Sequence, residues 1–298
     1  MKLIFNADDF GITDAVSAAI CDLMLRSATL KSTTVMINLL SARSLGLAKD
    51  TLAKRPGLSF GLHFNLTCGR PVAPPDRVGT LINRATGEFL KFKDLVLSLI
   101  GGKVDPSHIE NEFKAQIDLF RQSFGLPPSH IDSHKHMHSI PPIFNIVVEN
   151  ARKYGVFKVR MTENISAAEL FISQGIEKKT AETYFEKRFK SHNSCYKMSE
   201  LMPQASSEGD KMRFPKLFFG TYSVGRLSPE VFEAEVASRA SEDVSAEYMV
   251  HPGSSDAALE KLSSLLKPRD SERDALASPG LYAVIKKHGI EIISYNAL

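Results

Sequence analysis

Four of the nine histidines in this 298-residue chain, His130, His134, His136 and His138, fall within nine consecutive positions, where an even spread would place about 0.3. Imidazoles this dense form either a solvated turn or a set of metal ligands, and the rest of the chain favours ligands. Asp8 and Asp9 stand side by side after a short apolar run, His63 interrupts the apolar stretch Leu58–Thr67, Arg160 lies near the end of Val156–Met161, and His251 opens His251-Pro252-Gly253. Each has an ordinary structural use alone: paired acids cap helices, a strand histidine sits in the core, and a strand-end arginine joins an ion pair. Together they offer more, because one carboxylate and two neutral imidazoles leave coordination positions open for water, as a catalytic divalent site requires. If the segment after Ser133 stays extended, His134, His136 and His138 share one side; if it turns helical, His134 and His138 pair at i, i+4.

The elements that must hold these groups follow from the periodicity. Short β-rich runs at Lys2–Asn6, Ser32–Ile37, Leu58–Thr67, Ser129–Ser133, Val156–Met161, Phe214–Gly220, Ala246–Val250 and Ile290–Tyr295 alternate with stretches of helical period, the grammar of βαβ units. The plainest helix is Pro106–Phe124, where Ile109, Phe113, Ile117, Phe120 and Phe124 recur on one face and Gly125 with Pro127 supplies the stop. The pattern predicts an α/β fold: an irregular (β/α) barrel of seven or eight mostly parallel strands, forming one domain over 1–298 with insertions at about 69–106 and 162–212. In parallel barrels reactive groups sit at the C-terminal ends of strands, and Asp8, Asp9, His63, His134, Arg160 and His251 all fall there.

Composition removes several function classes. A formal net charge of +3 without a block of like charges gives no electrostatic footprint for nucleic acid. Cys21, Cys68 and Cys195 are too widely spaced for a disulfide framework or a metal knuckle and read as buried thiols in a reducing, cytoplasmic compartment. Only Leu3-Ile4-Phe5 precedes the first polar residues, so no signal-peptide core is visible, and no run of 18 apolar residues predicts a membrane span. Neither a GxxxxGK[ST] nor a GxGxxG run is present to hold a nucleotide cofactor. Lys178, Lys179, Lys187, Arg188 and Lys190 alternate with acids and read as a solvated helix face. Phe218-Phe219-Gly220-Thr221-Tyr222 reads as packing at the lip of the barrel or as aromatics for a sugar ring.

Asn6-Ala7-Asp8-Asp9-Phe10-Gly11, Gly61-Leu62-His63, His130-Ile131-Asp132-Ser133-His134-Lys135-His136-Met137-His138 and His251-Pro252-Gly253 resemble, in order and spacing, the motifs of the YdjC family of carbohydrate deacetylases. That family is best known for removing an acetyl group from chitin-derived disaccharides, and its architecture is similar to that of the NodB-type polysaccharide deacetylases. The resemblance covers nearly the whole chain. It implies one divalent ion, Mg²⁺ or Zn²⁺, on Asp9, His63 and His134, with His138 as the alternative ligand. It further implies Asp8 as general base, His251 as general acid and Arg160 as a stabiliser of the oxyanion. The implied partner is a small acetylated oligosaccharide, with no nucleic acid or membrane, and a homodimer is compatible with it. Two other readings stand beside this one: a different metal hydrolase using the HxH pair His134-Lys135-His136, and a carbohydrate-binding protein that keeps the metal for structure.

Overall fold

The structure is a computed structural model that describes residues 1–162, 171–172, 176–189 and 210–298. Its centre is a curled, wholly parallel sheet of β1 (Lys2–Phe10), β2 (Leu30–Val35), β3 (Ser59–Phe64), β4 (Ile131–Ser133), β5 (Leu217–Phe219), β6 (Ser245–Val250) and β7 (Glu291–Ile292). The strands run in the order β4-β3-β2-β1-β6-β5, with β7 paired to the start of β1. The two edges approach each other through isolated parallel bridges, Ile131 to Val159 and Lys158 to Arg213. Val156–Met161, expected as a full strand, is therefore a seam between the edges. The β/α architecture expected from the sequence is what the chain adopts, as a barrel-like sheet with that seam.

Side chains alternate across a strand, and here the alternation sorts apolar from polar residues. Leu3 and Phe5 of β1, Leu62 and Phe64 of β3 and Ala246 and Tyr248 of β6 join the main apolar core. The opposite register carries Asn6, Asp8, Thr34, His63, Asp132 and Glu247, all nearly or fully buried. The interior of the curl is thus a buried polar network made from alternate strand positions. At Gly61 a side chain is excluded, because a Cβ there would sit 2.6 Å from the His130 ring.

The outer layer includes α1 (Asp14–Arg26), α2 (Ala42–Lys54), α3 (Phe92–Ile100), α4 (Pro106–Phe124) and α5 (Pro141–Lys153). In α4 the Asp105 side chain accepts from the Ser107 N–H, Pro106 occupies the first turn, and Gly125 ends the helix at φ 77°, the sequence signals of a capped helix. Its Ile109, Phe113, Ile117 and Phe120 are buried. Later helices span Lys178–Phe189, Pro229–Val236, Pro268–Leu276 and Pro279–Lys287. Most of the expected insertion at 162–212, including Lys190 and Cys195, lies outside the described residues, as do the side chains of Lys187 and Arg188. Cys21 and Cys68 are buried free thiols. Among the described residues no helix is long and apolar enough to cross a membrane.

Candidate metal centre

Adjacent residues of a regular strand point to opposite faces, so Asp8 and Asp9 could not serve one site from an ideal β1. The strand solves this with a bulge. Ala7 pairs with Thr33 and Phe10 with Val35, so β1 spends one residue more than β2 over the same interval. Asp9 takes φ 67°, a left-handed conformation that costs a non-glycine residue free energy and must be held by its surroundings. Both carboxylates are thereby buried at one end of the curl, each with 2% exposure.

A second irregularity delivers the histidine. After β4 the chain enters a 3-10 turn, His134–Ser139, in which Lys135 and His136 have φ of 54° and 53°. This breaks both geometries expected for the segment, and it brings His134 alone to Asp9: His134 Nδ1 lies 3.0 Å from Asp9 Oδ1. From β3, His63 places Nε2 3.3 Å from the same oxygen, while its Nδ1 lies 2.7 Å from Asp132 Oδ1. Asp9, His63 and His134 together offer ligand atoms that all lie within 4.8 Å of one another.

The donor chemistry fits a cation. With Nδ1–H donated to Asp132, a neutral His63 presents Nε2 as a lone pair, buried without a hydrogen-bond partner and facing a carboxylate oxygen. Two acceptors 3.3 Å apart repel unless a positive charge lies between them. Burial disfavours charge on His63, yet Asp132, Asp9 and Asp8 overturn this and hold a second proton on the ring up to a pKa of about 10, so the surrounding acids call for positive charge at the place a metal ion would take. A ligating histidine oriented through its other nitrogen by a carboxylate is the usual second layer of a metal site. Asp9 divides its oxygens in the same spirit: Oδ1 faces the imidazoles, and Oδ2 accepts from Arg269 Nη2 at 2.6 Å. Burial would raise the Asp9 pKa, but Arg269 and His134 hold it well below the ordinary carboxylate range.

Asp8 is beside this group and serves a different partner. Its oxygens accept from Arg160 Nη1 and Nη2 at 2.7 and 2.6 Å, a two-point pairing that fixes the carboxylate plane. Burial alone would raise its pKa; the guanidinium more than reverses that and keeps Asp8 ionised. The expectation that Arg160 stabilises an oxyanion gives way to this geometry. Arg160 is fully buried, and its Nη2 also faces Asp132 Oδ2 at 2.9 Å and Glu247 Oε1 at 2.7 Å, so its charge is spent on carboxylates. His251 lies past the end of β6 with its Nδ1 buried and unpartnered. It is near enough for its charge to lower the Asp8 pKa. His136, with a strained backbone and a buried, unpartnered Nδ1, sets its ring edge-on to Phe218 at 5.7 Å.

His138 is not a ligand in this arrangement. Its Nδ1 meets Ser133 Oγ at 2.5 Å and its Nε2 meets the Arg160 carbonyl at 3.2 Å, and burial pushes its pKa down to about 3, so it is a neutral structural histidine. His130 is likewise structural, stacked on Tyr295. Asp132, Glu247 and Arg269 are buried charged neighbours of these groups that residue type alone does not single out. Asp132 and Glu247 had a signal: each is an acid two or four positions from a site histidine in an extended run, hence on the same face. Arg269 had none, since it comes from the helix Pro268–Leu276, distant in sequence from Asp9.

The family described as YdjC-like protein matches residues 2–287. The chain belongs to the YdjC-like family. This YdjC-like protein is 29% identical to a carbohydrate deacetylase of Geobacillus stearothermophilus over 98% of its own length and 96% of the relative's. It is also 29% identical to a carbohydrate deacetylase of Clostridium beijerinckii, over 99% of both. A chitooligosaccharide deacetylase of Yersinia pestis is 38% identical over 51% of this chain and 56% of that one. Its fold matches a crystal structure from Enterococcus faecalis V583, described as a candidate cellobiose-phosphate cleavage protein, with TM-score 0.74 and 26% identity over 99% of this YdjC-like chain and 98% of the other.

Proposed function

We propose that this protein is a metal-dependent hydrolase that removes an N-acetyl group from an acetylated amino sugar, the substrate being a small chitin-derived oligosaccharide. The observation that carries the reading is the pairing of two functions at one bulge: Asp9 faces His63 and His134, while the neighbouring Asp8 is held ionised beside them. Full-length relatives named carbohydrate deacetylase support it, and the shorter match to a chitooligosaccharide deacetylase supports the sugar class.

In this reading Asp9, His63 and His134 hold one divalent ion, which supplies Lewis acidity toward an amide carbonyl and toward water. A carboxylate and two imidazoles suit Zn²⁺, and Mg²⁺ is the alternative. The chain's own residues do the remaining work. Asp8 accepts the proton released as water adds to the acetamide carbon; Arg160 keeps that carboxylate ionised and oriented before the proton arrives. His251 Nδ1, buried and without a protein partner, donates a proton to the departing amine, which cannot leave as an anion. Asp132 keeps the His63 tautomer fixed, and Arg269 fixes Asp9.

The test is acetate release from N-acetylglucosamine oligomers of two to six units, using chelated protein and protein with Mg²⁺, Zn²⁺ or Co²⁺ restored. Release that disappears on chelation and returns with metal supports the reading. No release from any oligomer by metal-loaded protein contradicts it.

A further inference from the structure

Beneath Asp8 the described residues close a ring of contacts that leads away from the metal ligands. Besides its two bonds from Arg160, Asp8 Oδ1 accepts from Asn6 Nδ2 at 2.9 Å. In one direction Arg160 Nε donates to Glu247 Oε1 at 2.9 Å, and the other Glu247 oxygen accepts from the Tyr295 hydroxyl. In the other direction Asn6 Oδ1 meets His130 Nε2 at 3.1 Å, and the His130 ring stacks on Tyr295 with centroids 3.6 Å apart and planes 9° apart. Asn6, His130, Arg160, Glu247 and Tyr295 are all fully buried. Tyr295 is fixed in turn by its backbone: its N–H donates to Ser32 Oγ at 3.1 Å, and its carbonyl accepts from Lys158 Nζ at 2.7 Å.

A guanidinium gripped on one edge can still rock about that edge. Glu247 takes the Nε side while Asp8 takes the Nη side, so two carboxylates on different edges fix the plane. The Tyr295 hydroxyl then holds Glu247 at the oxygen that Arg160 leaves free. Burial pushes Glu247 up to a pKa of about 7, with Arg160 and the Tyr295 hydroxyl pulling it back, so its ionised form depends on both partners. The ring meets the metal ligands through Asp132, which Arg160 Nη2 faces at 2.9 Å and which holds His63 Nδ1 at 2.7 Å.

We propose that Glu247 and Tyr295 are positioning residues for Asp8, acting through the Arg160 guanidinium; the inference rests on the deacetylase reading in which Asp8 accepts the proton.

Tyr295→Phe keeps the ring stacked on His130 and removes only the hydroxyl. We expect kcat for acetate release to fall about tenfold while KM and Zn²⁺ affinity stay within about twofold, the signature of a group that acts on the reaction step and not on binding. Glu247→Gln should lose at least as much and Glu247→Ala more, because glutamine still offers Arg160 one acceptor. The tether is also read without turnover, as hydrogen exchange of the Arg160 Nε–H in ¹⁵N-labelled protein, expected to be about tenfold faster in Tyr295→Phe. Wild-type kcat in folded Tyr295→Phe and Glu247→Gln overturns the inference, as does a fall in Zn²⁺ affinity that parallels kcat, or unchanged Arg160 exchange. Failure of the deacetylase reading looks different: wild-type, metal-loaded protein then releases no acetate, and Asp8 has no proton for Glu247 and Tyr295 to serve.

Discussion

The Asp132 carboxylate holds His63 Nδ1 at 2.7 Å with one oxygen and faces Arg160 Nη2 at 2.9 Å with the other, so one buried side chain joins the candidate metal group to the Asp8 group. The link explains why an imidazole in an apolar strand and an arginine at a sheet seam lie within one polar interior. It also separates two kinds of damage, loss of metal and loss of the proton acceptor, that the following substitutions distinguish.

Asp132→Asn leaves His63 in place but removes the charge that favours its Nδ1–H tautomer. Outer partners of this kind are worth about 10–100-fold in metal affinity. Zn²⁺ affinity measured by competition with a chromogenic chelator should fall in that range, and turnover should recover at saturating Zn²⁺. Wild-type affinity would remove Asp132 from the account.

Arg160→Met leaves Asp8, Asp132 and Glu247 buried around a missing cation. Removing one partner of a buried ionic group costs about 3–5 kcal/mol, so urea denaturation of the variant should show a loss of that order. Arg160→Lys should recover little, because an ammonium cannot bond Asp8 and Glu247 on two edges. A loss below about 1 kcal/mol would contradict the network.

Acid lability follows from the buried neutral histidines. Burial holds His130 and His136 well below the ordinary histidine value and His138 at about 3. The unfolded chain binds protons on these rings from about pH 6.5 downward, whereas the folded chain does not, so stability falls as pH drops from 6.5 toward 3. Asp8 and Asp9, whose folded pKa values are depressed, add a further loss below about pH 4. Glu112 and Glu247, raised to about 7 by burial, act in the opposite sense between about pH 7 and 4.5, but the three rings outweigh them, so the Tm of metal-free protein should decline from pH 6.5 to 4, and a flat profile would contradict the assignment of neutral buried rings.

Much of the fold and part of the site could be read from residue order. The alternation of β-rich and helical periods locates all seven strands found among the described residues and puts α4 at its observed bounds, because capping and periodicity act locally. Residue order stops β1 at Lys2–Asn6, short of the observed Lys2–Phe10, since nothing local announces that Asp9 adopts positive φ. It also gave Val156–Met161 a full strand, although the curl leaves that segment only isolated bridges. Asp8, Asp9, His63, His134 and His251 share one region because strand ends converge in a parallel sheet. The task of Arg160 was not legible: it depends on Asp8 and Glu247, contributed by strands more than 80 residues away on either side. His138 shows the converse, a motif histidine whose two nitrogens are consumed by Ser133 and a backbone carbonyl.

His251→Ala should retain metal and lose turnover. General acid catalysis contributes about 10²–10⁴-fold, so kcat should fall within that range with wild-type Zn²⁺ stoichiometry, and substrates with better leaving amines should lose less. Equal losses for all leaving groups would assign His251 another role.

The central claim is that Asp9, His63 and His134 form one metal site that turnover requires. The most direct measurement is Zn²⁺ bound per chain by wild type, Asp9→Ala and His134→Ala, in the same preparations assayed for acetate release. The account predicts about one ion in wild type and roughly none in either variant at equal free Zn²⁺, with acetate release lost in both. Full occupancy in folded Asp9→Ala and His134→Ala, or wild-type acetate release without bound metal, would contradict it.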